Sequence, residues 1–304
     1  MKRKIIVFGY GYTGVKLYRK LENDEAYSVI GFADNSLYKQ GMYVDNQKVR
    51  SMDDLIKLKE HADFGVIIAA KEWYIIGQQL EERDIRIEGI FIDEEILPYE
   101  VMDFEKLDLT NEIKLYAGDV CDDVHMKDKN LYGLSITKAD KKHILHDITY
   151  NYPLPDNCIA SYQAEDVLEH ISLEKVIPVI NEIYRILKPG ALSRICLPDY
   201  YSPYLKKVSM MDAEGNILYD PTGGGTYGNG GVQNGGHLWF PDYYRVKDIL
   251  SKSLFQKYDF LCYYTDDGKL IKKEINFEKG YICRIPQNNL DNGMIYSIVV
   301  DCIK

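Results

Sequence analysis

Near the start of the chain, Gly9-Tyr10-Gly11-Tyr12-Thr13-Gly14 forms a G-x-G-x-x-G hexamer between a short apolar run and a helical pattern. In that setting each glycine has a use: a tight turn, close approach of backbone to a pyrophosphate, and packing of helix on strand. The helix N-terminus offers free N–H groups and a partial positive charge to a phosphate. Asp34 lies twenty residues past Gly14, at the end of a second apolar run, where a carboxylate can hold a ribose hydroxyl pair. Two readings stand: the hexamer cradles a dinucleotide, or it only shapes a tight turn.

A second group of candidates lies in the other half. His237 sits in Gly235-Gly236-His237-Leu238-Trp239, at the exit of a loop with eight glycines between Gly223 and Gly236. An imidazole titrates near working pH, so His237 is a general-base candidate, and the loop could act as a lid. Equally, the loop could simply cover a sheet, with His237 capping the next helix. His170 reads as a structural residue, and His143 and His146 as polar positions of a strand. Asp119, Asp122, Asp123, His125 and Asp128 carry oxygen-ligand chemistry suited to Mg²⁺, but a solvated loop is the favoured reading. Tyr200, Tyr201, Tyr204, Tyr227, Tyr243 and Tyr244 could stack on sugar rings or serve as half-buried packing. The six cysteines include no CxxC pair, so no metal site is expected, and the thiols read as reduced.

These residues need elements to hold them. Lys4–Phe8, Tyr27–Ala33, Phe64–Ala69 and Ile85–Ile92 read as strands. They alternate with helical patterns after Gly14, after a Ser51 cap and over Trp73–Leu80. Such alternation predicts a parallel sheet covered on both faces. An acidic connector with Pro98 follows, from Asp93 to Thr110. A second alternation then supplies strands at Ile113–Ala117, Leu131–Ile136, His143–Ile148, Ile159–Gln163, Leu192–Leu197, Tyr258–Tyr264 and Met294–Ile303. Its helices run from Ser172 to Leu187, stopped by Lys188-Pro189-Gly190, and over Asp242–Lys252. The expected fold is α/β, two tandem Rossmann-like domains at 1–95 and 111–304 joined by a linker at 96–110.

The glycine hexamer, followed by Val29-Ile30-Gly31-Phe32-Ala33-Asp34-Asn35, resembles the small Rossmann-like domain fused to sugar-modifying enzymes of bacterial surface-glycan pathways. The resemblance implies that Gly9, Gly11, Gly14 and Asp34 hold NAD, a nucleotide or a nucleotide sugar.

His146-Asp147-Ile148, Leu154-Pro155-Asp156-Asn157, Val167-Leu168-Glu169-His170-Ile171 and Ile186-Leu187-Lys188-Pro189-Gly190 follow in close order. Together they resemble a class I S-adenosylmethionine-dependent methyltransferase of the glycan-associated type, with a seven-stranded sheet. That likeness implies S-adenosylmethionine at the carboxyl ends of the strands. Gly118, Asp119, Ser135, Asp147 and Ile148 would line its site. Gln163, Ala164 and Glu165, following the fourth strand, would flank the methionine part. Asp199 would reach the acceptor and His237 would be the base. The chain departs from the family pattern in its single glycine at Ala117-Gly118-Asp119-Val120, in Ser135 and Ala160 where acids are usual, and in a curtailed first helix.

Composition bounds the function. The 304 residues, 46% hydrophobic and 28% charged, are those of a globular protein with room for two cores. Lys+Arg 37 against Asp+Glu 47 gives −10, which argues against a general nucleic-acid or anionic-membrane binder. The run Ile5–Phe8 behind Met1-Lys2-Arg3-Lys4 is too short for an export signal, and no stretch is long enough to span a membrane. A cytoplasmic protein, with a homodimer as the common state of such enzymes, is expected. The expected function is methyl transfer to a hydroxyl of a sugar, nucleotide sugar or surface glycan in polysaccharide biosynthesis. The alternatives are a non-catalytic binding protein and an NAD-linked sugar-modifying enzyme. The Tyr/Lys pairs at the spacing such NAD enzymes use, Tyr12/Lys16, Tyr184/Lys188 and Tyr243/Lys247, do not suit a nicotinamide in the first domain.

Overall fold

A computed structural model of the chain describes residues 2–92, 94–120, 123–285 and 295–304. It divides into two compact units, Met1–Val101 and Met102–Lys304. Met1, Asp93, Cys121, Asp122 and Met294, which figured in the sequence reading, lie outside the described residues.

The first unit is built from β1 (Arg3–Phe8), α1 (Tyr12–Leu21), β2 (Tyr27–Ala33), β3 (Tyr43–Val44), β4 (Gln47–Arg50), α2 (Met52–Lys59), β5 (Gly65–Ile68), α3 (Trp73–Glu81), β6 (Ile87–Ile92) and β7 (Glu95–Leu97). Its sheet runs β3-β4-β2-β1-β5-β6-β7, parallel from β4 to β6 with an antiparallel strand at each edge. The four expected strands form the centre, and β3, β4 and β7 are additions. β1 shows why its run is apolar without a break: Ile6 and Phe8 join one core cluster, Ile5 and Val7 the other. Alternate residues therefore bury both faces. Ser51 caps α2 in a reciprocal capping box with Asp54.

The second unit comprises β8 (Lys114–Ala117), α4 (Asp123–Lys127), β9 (Leu131–Ser135), β10 (His143–Leu145), β11 (Ile159–Glu165), α5 (Leu173–Ile186), β12 (Leu187–Pro198), α6 (Pro203–Val208), β13 (Met210–Met211), β14 (Ile217–Tyr219), β15 (Thr226–Gly228), β16 (Gly231–Gln233), α7 (Tyr243–Ser251), β17 (Lys257–Tyr264), β18 (Leu270–Lys272) and β19 (Ser297–Ile303). The main sheet runs β10-β9-β8-β11-β12-β19-β17-β18. Strands β10 to β12 are parallel, and β19 lies antiparallel between β12 and β17. The sheet contains the seven expected strands and an eighth, β18, added by the segment before β19. β13 with β14 and β15 with β16 form two separate hairpins. α4 is five residues long, as the curtailed first helix required. Helix α5 ends at Ile186, and Leu187 already opens β12, so Lys188-Pro189-Gly190 lies in the strand and not in a stop loop.

One face of this sheet packs under α5 and α7 through Val176, Val179, Ile180, Ile183, Val246 and Leu250. The other is covered by the chain leading to Ile285, through Ile275, Ile282 and Ile285 on Cys196, Cys262 and Val299. Arg194 on β12 is 1% exposed in that face. Its guanidinium binds both oxygens of Asp301 on β19 at 2.7 Å, and its remaining nitrogen donates to the Asn276 and Gly280 carbonyls at 2.9 and 2.6 Å. A bidentate charged pair of this kind fixes direction as well as distance.

The glycines of the hexamer are not equivalent. A Cβ on Gly14 would stand 1.8 Å from the Gly9 carbonyl oxygen, whereas one on Gly11 would meet nothing within 4 Å. Gly14→Ala is therefore expected to destabilise the protein by at least the roughly 1–3 kcal/mol of an overpacked site, and Gly11→Ala by less than about 1 kcal/mol. Urea unfolding of the full chain checks this; equal losses at the two positions would contradict it.

Candidate functional site

A cleft of about 650 Å³ opens in the second unit at the carboxyl ends of β8, β9, β10 and β11. Ligands of open α/β sheets bind at that place, where the strand order reverses. Gly118, Asp119, Ser135, Asp147 and Ile148 all line it, so the fold collects five of the eight residues the sequence reading assigned to the S-adenosylmethionine site. Gly118 adopts φ +100°, a conformation that favours glycine. Ser135 is buried at 1% exposure, and its hydroxyl accepts the Thr137 and Lys138 N–H groups at 3.1 and 3.2 Å, shaping the turn after β9. Asp147 lies two residues beyond the end of β10, not at it, and one carboxylate oxygen accepts the Thr149 N–H at 2.9 Å. Asp119 pairs with Lys138 at 3.2 Å and Asp128 with Lys114 at 2.9 Å. Two members of the acidic cluster, Asp119 and Asp128, thus sit in separate ion pairs.

Sequence reasoning missed Thr137, Asp166 and Lys175 in the same lining. Asp166 is the most telling, since it follows β11 at φ +52° and also lines a second cavity of about 220 Å³. His170 is the other residue common to both cavities. The smaller cavity continues through Tyr204, Asp220, His237, Arg284 and Tyr296. Arg284 bonds Asp166 at 2.5 Å and the Tyr296 hydroxyl at 3.0 Å. Of the six tyrosines named from the sequence, Tyr204 lines this cavity, whereas Tyr243 is stacked on Tyr263 with ring centroids 4.1 Å apart.

The Val167–Ile171 turn and the loop through Gly235 to Trp239 are tied together. The Leu238 N–H donates to the Glu169 carbonyl at 2.8 Å, the Trp239 indole to the Leu168 carbonyl at 2.9 Å, and His170 Nδ1 bonds the Gly235 carbonyl at 2.8 Å. This brings His237 beside Glu169 and His170. A Cβ on Gly223 would stand 2.5 Å from the His237 ring, so the loop needs glycine there for the ring to fit. His237 is 7% exposed, and its Nδ1 meets the Tyr200 hydroxyl at 2.5 Å, which in turn donates to Asp220 at 2.6 Å. Burial, with His170 alongside, pushes the imidazole down to about 4, so His237 does not titrate near working pH as the sequence reading supposed. Glu169 is fully buried, and burial holds its carboxyl well above the usual range.

Four expected site residues point elsewhere. β11 runs to Glu165, two residues past the expected end, so Gln163, Ala164 and Glu165 belong to the strand and its pleat alternates them. Gln163 Nε2 donates to the Tyr281 carbonyl at 2.5 Å and lines a separate cavity of about 590 Å³. Glu165 accepts the Arg284 and Cys283 N–H groups at 2.9 and 3.4 Å. Both hold the segment before β19 and neither lines the cleft at the strand ends. Asp199 follows β12 as expected but is fully buried, its oxygens accepting the Tyr201 and Tyr264 N–H groups at 2.9 and 2.6 Å. It fastens the end of β12 to β17, and burial raises its carboxyl to about 6.

In the first unit a cleft of about 460 Å³ is lined by Gly9, Gly11, Thr13, Asp34, Lys39 and Lys71, among others. Gly14 stands behind it, against Gly9. Asp34 is already engaged, accepting the Tyr10 and Ser36 N–H groups at 2.7 and 2.8 Å and pairing with Lys39 at 3.0 Å. Its carboxylate shapes the loop that would meet a ligand.

No protein-family model matches the chain, and no curated protein matches it. Among solved structures, an S-adenosylmethionine-dependent methyltransferase from Methanosarcina mazei is similar at 13% identity and a TM-score of 0.39, over 67% of this chain and 99% of that one. UDP-D-quinovosamine 4-dehydrogenase from Vibrio fischeri is similar at 20% identity and a TM-score of 0.27, over 29% of this chain and 76% of that one. RSP, a Rex-family repressor, is similar at 13% identity and a TM-score of 0.26 over 32% of this chain, which spans about half of it, 49%. These likenesses are weak, and the fold stands on the strand order and register given above. Among the described residues, no helix is long and apolar enough to cross a membrane.

Glu165 offers a pH test of this geometry. Burial raises its carboxyl from 4.5 to about 7, so the folded chain binds that proton more tightly than the unfolded one. Its contribution is fully present below the unfolded value and is lost as pH rises through the folded one. Between about pH 5 and pH 8, the wild type should lose roughly 1–3 kcal/mol relative to Glu165→Gln in urea unfolding. A difference independent of pH would show a solvated carboxylate.

Proposed function

We propose that the second unit transfers a methyl group from S-adenosylmethionine to a hydroxyl of a sugar, nucleotide sugar or surface glycan. The observation that carries this is the pair of adjoining cavities at the strand ends: a cleft of about 650 Å³ holding Asp147, and one of about 220 Å³ reached through Asp166 and His170. The larger lies within the roughly 300–1,000 Å³ of ligand sites, and the smaller has room for only part of an acceptor. In the cleft Asp147 would accept the adenine amino group, Gly118 would let the backbone approach, and Ser135 would hold the turn facing the ribose.

The reaction forms an O–CH₃ bond as the S–CH₃ bond breaks, with the electron pair left on sulfur and the hydroxyl proton released. Most of the catalysis in such a displacement is positioning. Tyr204 and Tyr296, with ring centroids 5.4 Å apart, offer aromatic faces to an acceptor ring in the smaller cavity. The first unit is read as a holder of an anionic nucleotide, NAD or a nucleotide sugar, because Gly9 and Gly11 line its cleft beside Lys39 and Lys71.

Titration calorimetry of the ligand-stripped protein with S-adenosylhomocysteine tests this reading. Micromolar binding is expected, weakened at least about tenfold by Asp147→Ala, since a lost hydrogen bond to a charged group is worth about 1.5–3 kcal/mol. Gly11→Ala should leave that affinity unchanged while weakening NAD⁺ or a nucleoside diphosphate sugar. No binding of S-adenosylhomocysteine at millimolar concentration would overturn methyl transfer and favour a binding protein that has lost the chemistry.

A further inference from the structure

Glu169 is the anomaly of the second unit. Its side chain is fully buried, and neither carboxylate oxygen has a hydrogen-bond partner among the described residues. Stranding such a group is costly, so an arrangement that keeps it needs a reason. Two imidazoles face it. One ligand atom from each of Glu169, His170 and His237 lies within 4.8 Å of the others, and His237 Nε2 stands 3.7 Å from Glu169 Oε1. That separation is too long for a hydrogen bond. It is close to the roughly 3.0–3.5 Å between ligands about 2.1 Å from a shared ion.

The outer contacts fit the same reading. The Tyr200 hydroxyl donates to Asp220, so it accepts from His237 Nδ1–H, and the lone pair of that ring is left on Nε2. His170 Nδ1 donates to the Gly235 carbonyl, and its lone pair is likewise left on Nε2. Metal-binding histidines are held in this way, by a carbonyl or a hydrogen-bonded acid on the nitrogen that does not bind the ion.

We propose that Glu169, His170 and His237 bind a divalent transition-metal ion, with Tyr200 and Asp220 orienting His237, and that the open coordination positions face the cavity of about 220 Å³ lined by Asp166, Tyr204 and Arg284. Two imidazoles and one carboxylate suit Mn²⁺, Fe²⁺, Co²⁺ or Zn²⁺ better than Mg²⁺, which prefers oxygen ligands. This departs from the sequence expectation of no metal, and its residues are not those of the acidic cluster after β8. The open positions would take hydroxyl oxygens of the acceptor, and an alcohol bound there is acidified by the ion as a bound water is. That use rests on the methyl-transfer reading; the binding of the ion does not.

The test is titration of the chelator-stripped full chain with Co²⁺, followed by its visible absorption and by calorimetry. The proposal expects one Co²⁺ per chain. Glu169→Gln and His170→Ala should each lose more than the roughly 10–100-fold in affinity that Asp220→Asn, an outer partner, should lose. His170 is only partly buried, so its variant guards against a misfolded Glu169→Gln. Absence of stoichiometric Co²⁺ binding, or equal affinity in wild type and Glu169→Gln, overturns the proposal. Glu169→Gln should bind S-adenosylhomocysteine as the wild type does. Retained S-adenosylhomocysteine binding without Co²⁺ binding removes the metal site alone, and the converse removes the cofactor reading alone.

Discussion

The second unit depends on a charge placed where charges are costly. Arg194 is buried in the middle of a sheet face, and it is kept there by Asp301 on the neighbouring strand and by the Asn276 and Gly280 carbonyls. Removing one partner of such a pair leaves an uncompensated charge, so the arrangement holds as a whole or not at all. What it holds is the segment leading to Ile285, pinned across the face formed by β12, β19 and β17. From that anchored segment Gln163 takes the Tyr281 carbonyl, Glu165 takes two N–H groups, and Arg284 reaches Asp166. Asp166 is where the two cavities meet. A buried ion pair on one face thus sets the geometry of the cleft at the strand ends.

The other determinant is a loop. Fourteen residues from Gly223 to Gly236, eight of them glycine, would be costly to order if they carried function nowhere. Their C-terminal end is fastened to the Val167–Ile171 turn by the Gly235, Leu238 and Trp239 hydrogen bonds, and Gly223 clears space for the His237 ring. The result places two imidazoles at the wall of the smaller cavity, with the buried Glu169 carboxylate beside them. The low basicity of the buried His237 ring makes an unaided general base a poor account of that cluster, and its arrangement makes more sense as a set acting together.

Much of the fold could be read from local pattern, because it depends on local pattern. The unbroken Ile5–Phe8 run is buried on both faces, and the Ser51 cap forms as its spacing requires. Gly118, Asp119, Ser135, Asp147 and Ile148 converge on one cleft because each follows a parallel strand, and parallel strands open at the same end. Gln163 and Glu165 were misplaced by a strand end: β11 continues two residues, and the pleat then sends both to the opposite face. Asp199 follows its strand as foreseen, yet its carboxylate is consumed by two backbone amides, which no spacing announces. Arg284, Asp220 and Tyr200 reach the site only through tertiary contacts with distant segments, and the Glu169-His170 pair gives no local sign that its third partner is His237.

The central claim is that the adenosyl cofactor sits at the strand ends of the second unit. Hydrogen exchange of the full chain, with and without saturating S-adenosylhomocysteine, locates it directly, because a bound ligand slows exchange by the amides it orders. The account predicts protection over residues 117–119, 134–138 and 146–149, with residues 9–14 and 69–72 unchanged. Protection confined to residues 9–14 and 69–72, or no protection at a concentration where binding is measured, would contradict it.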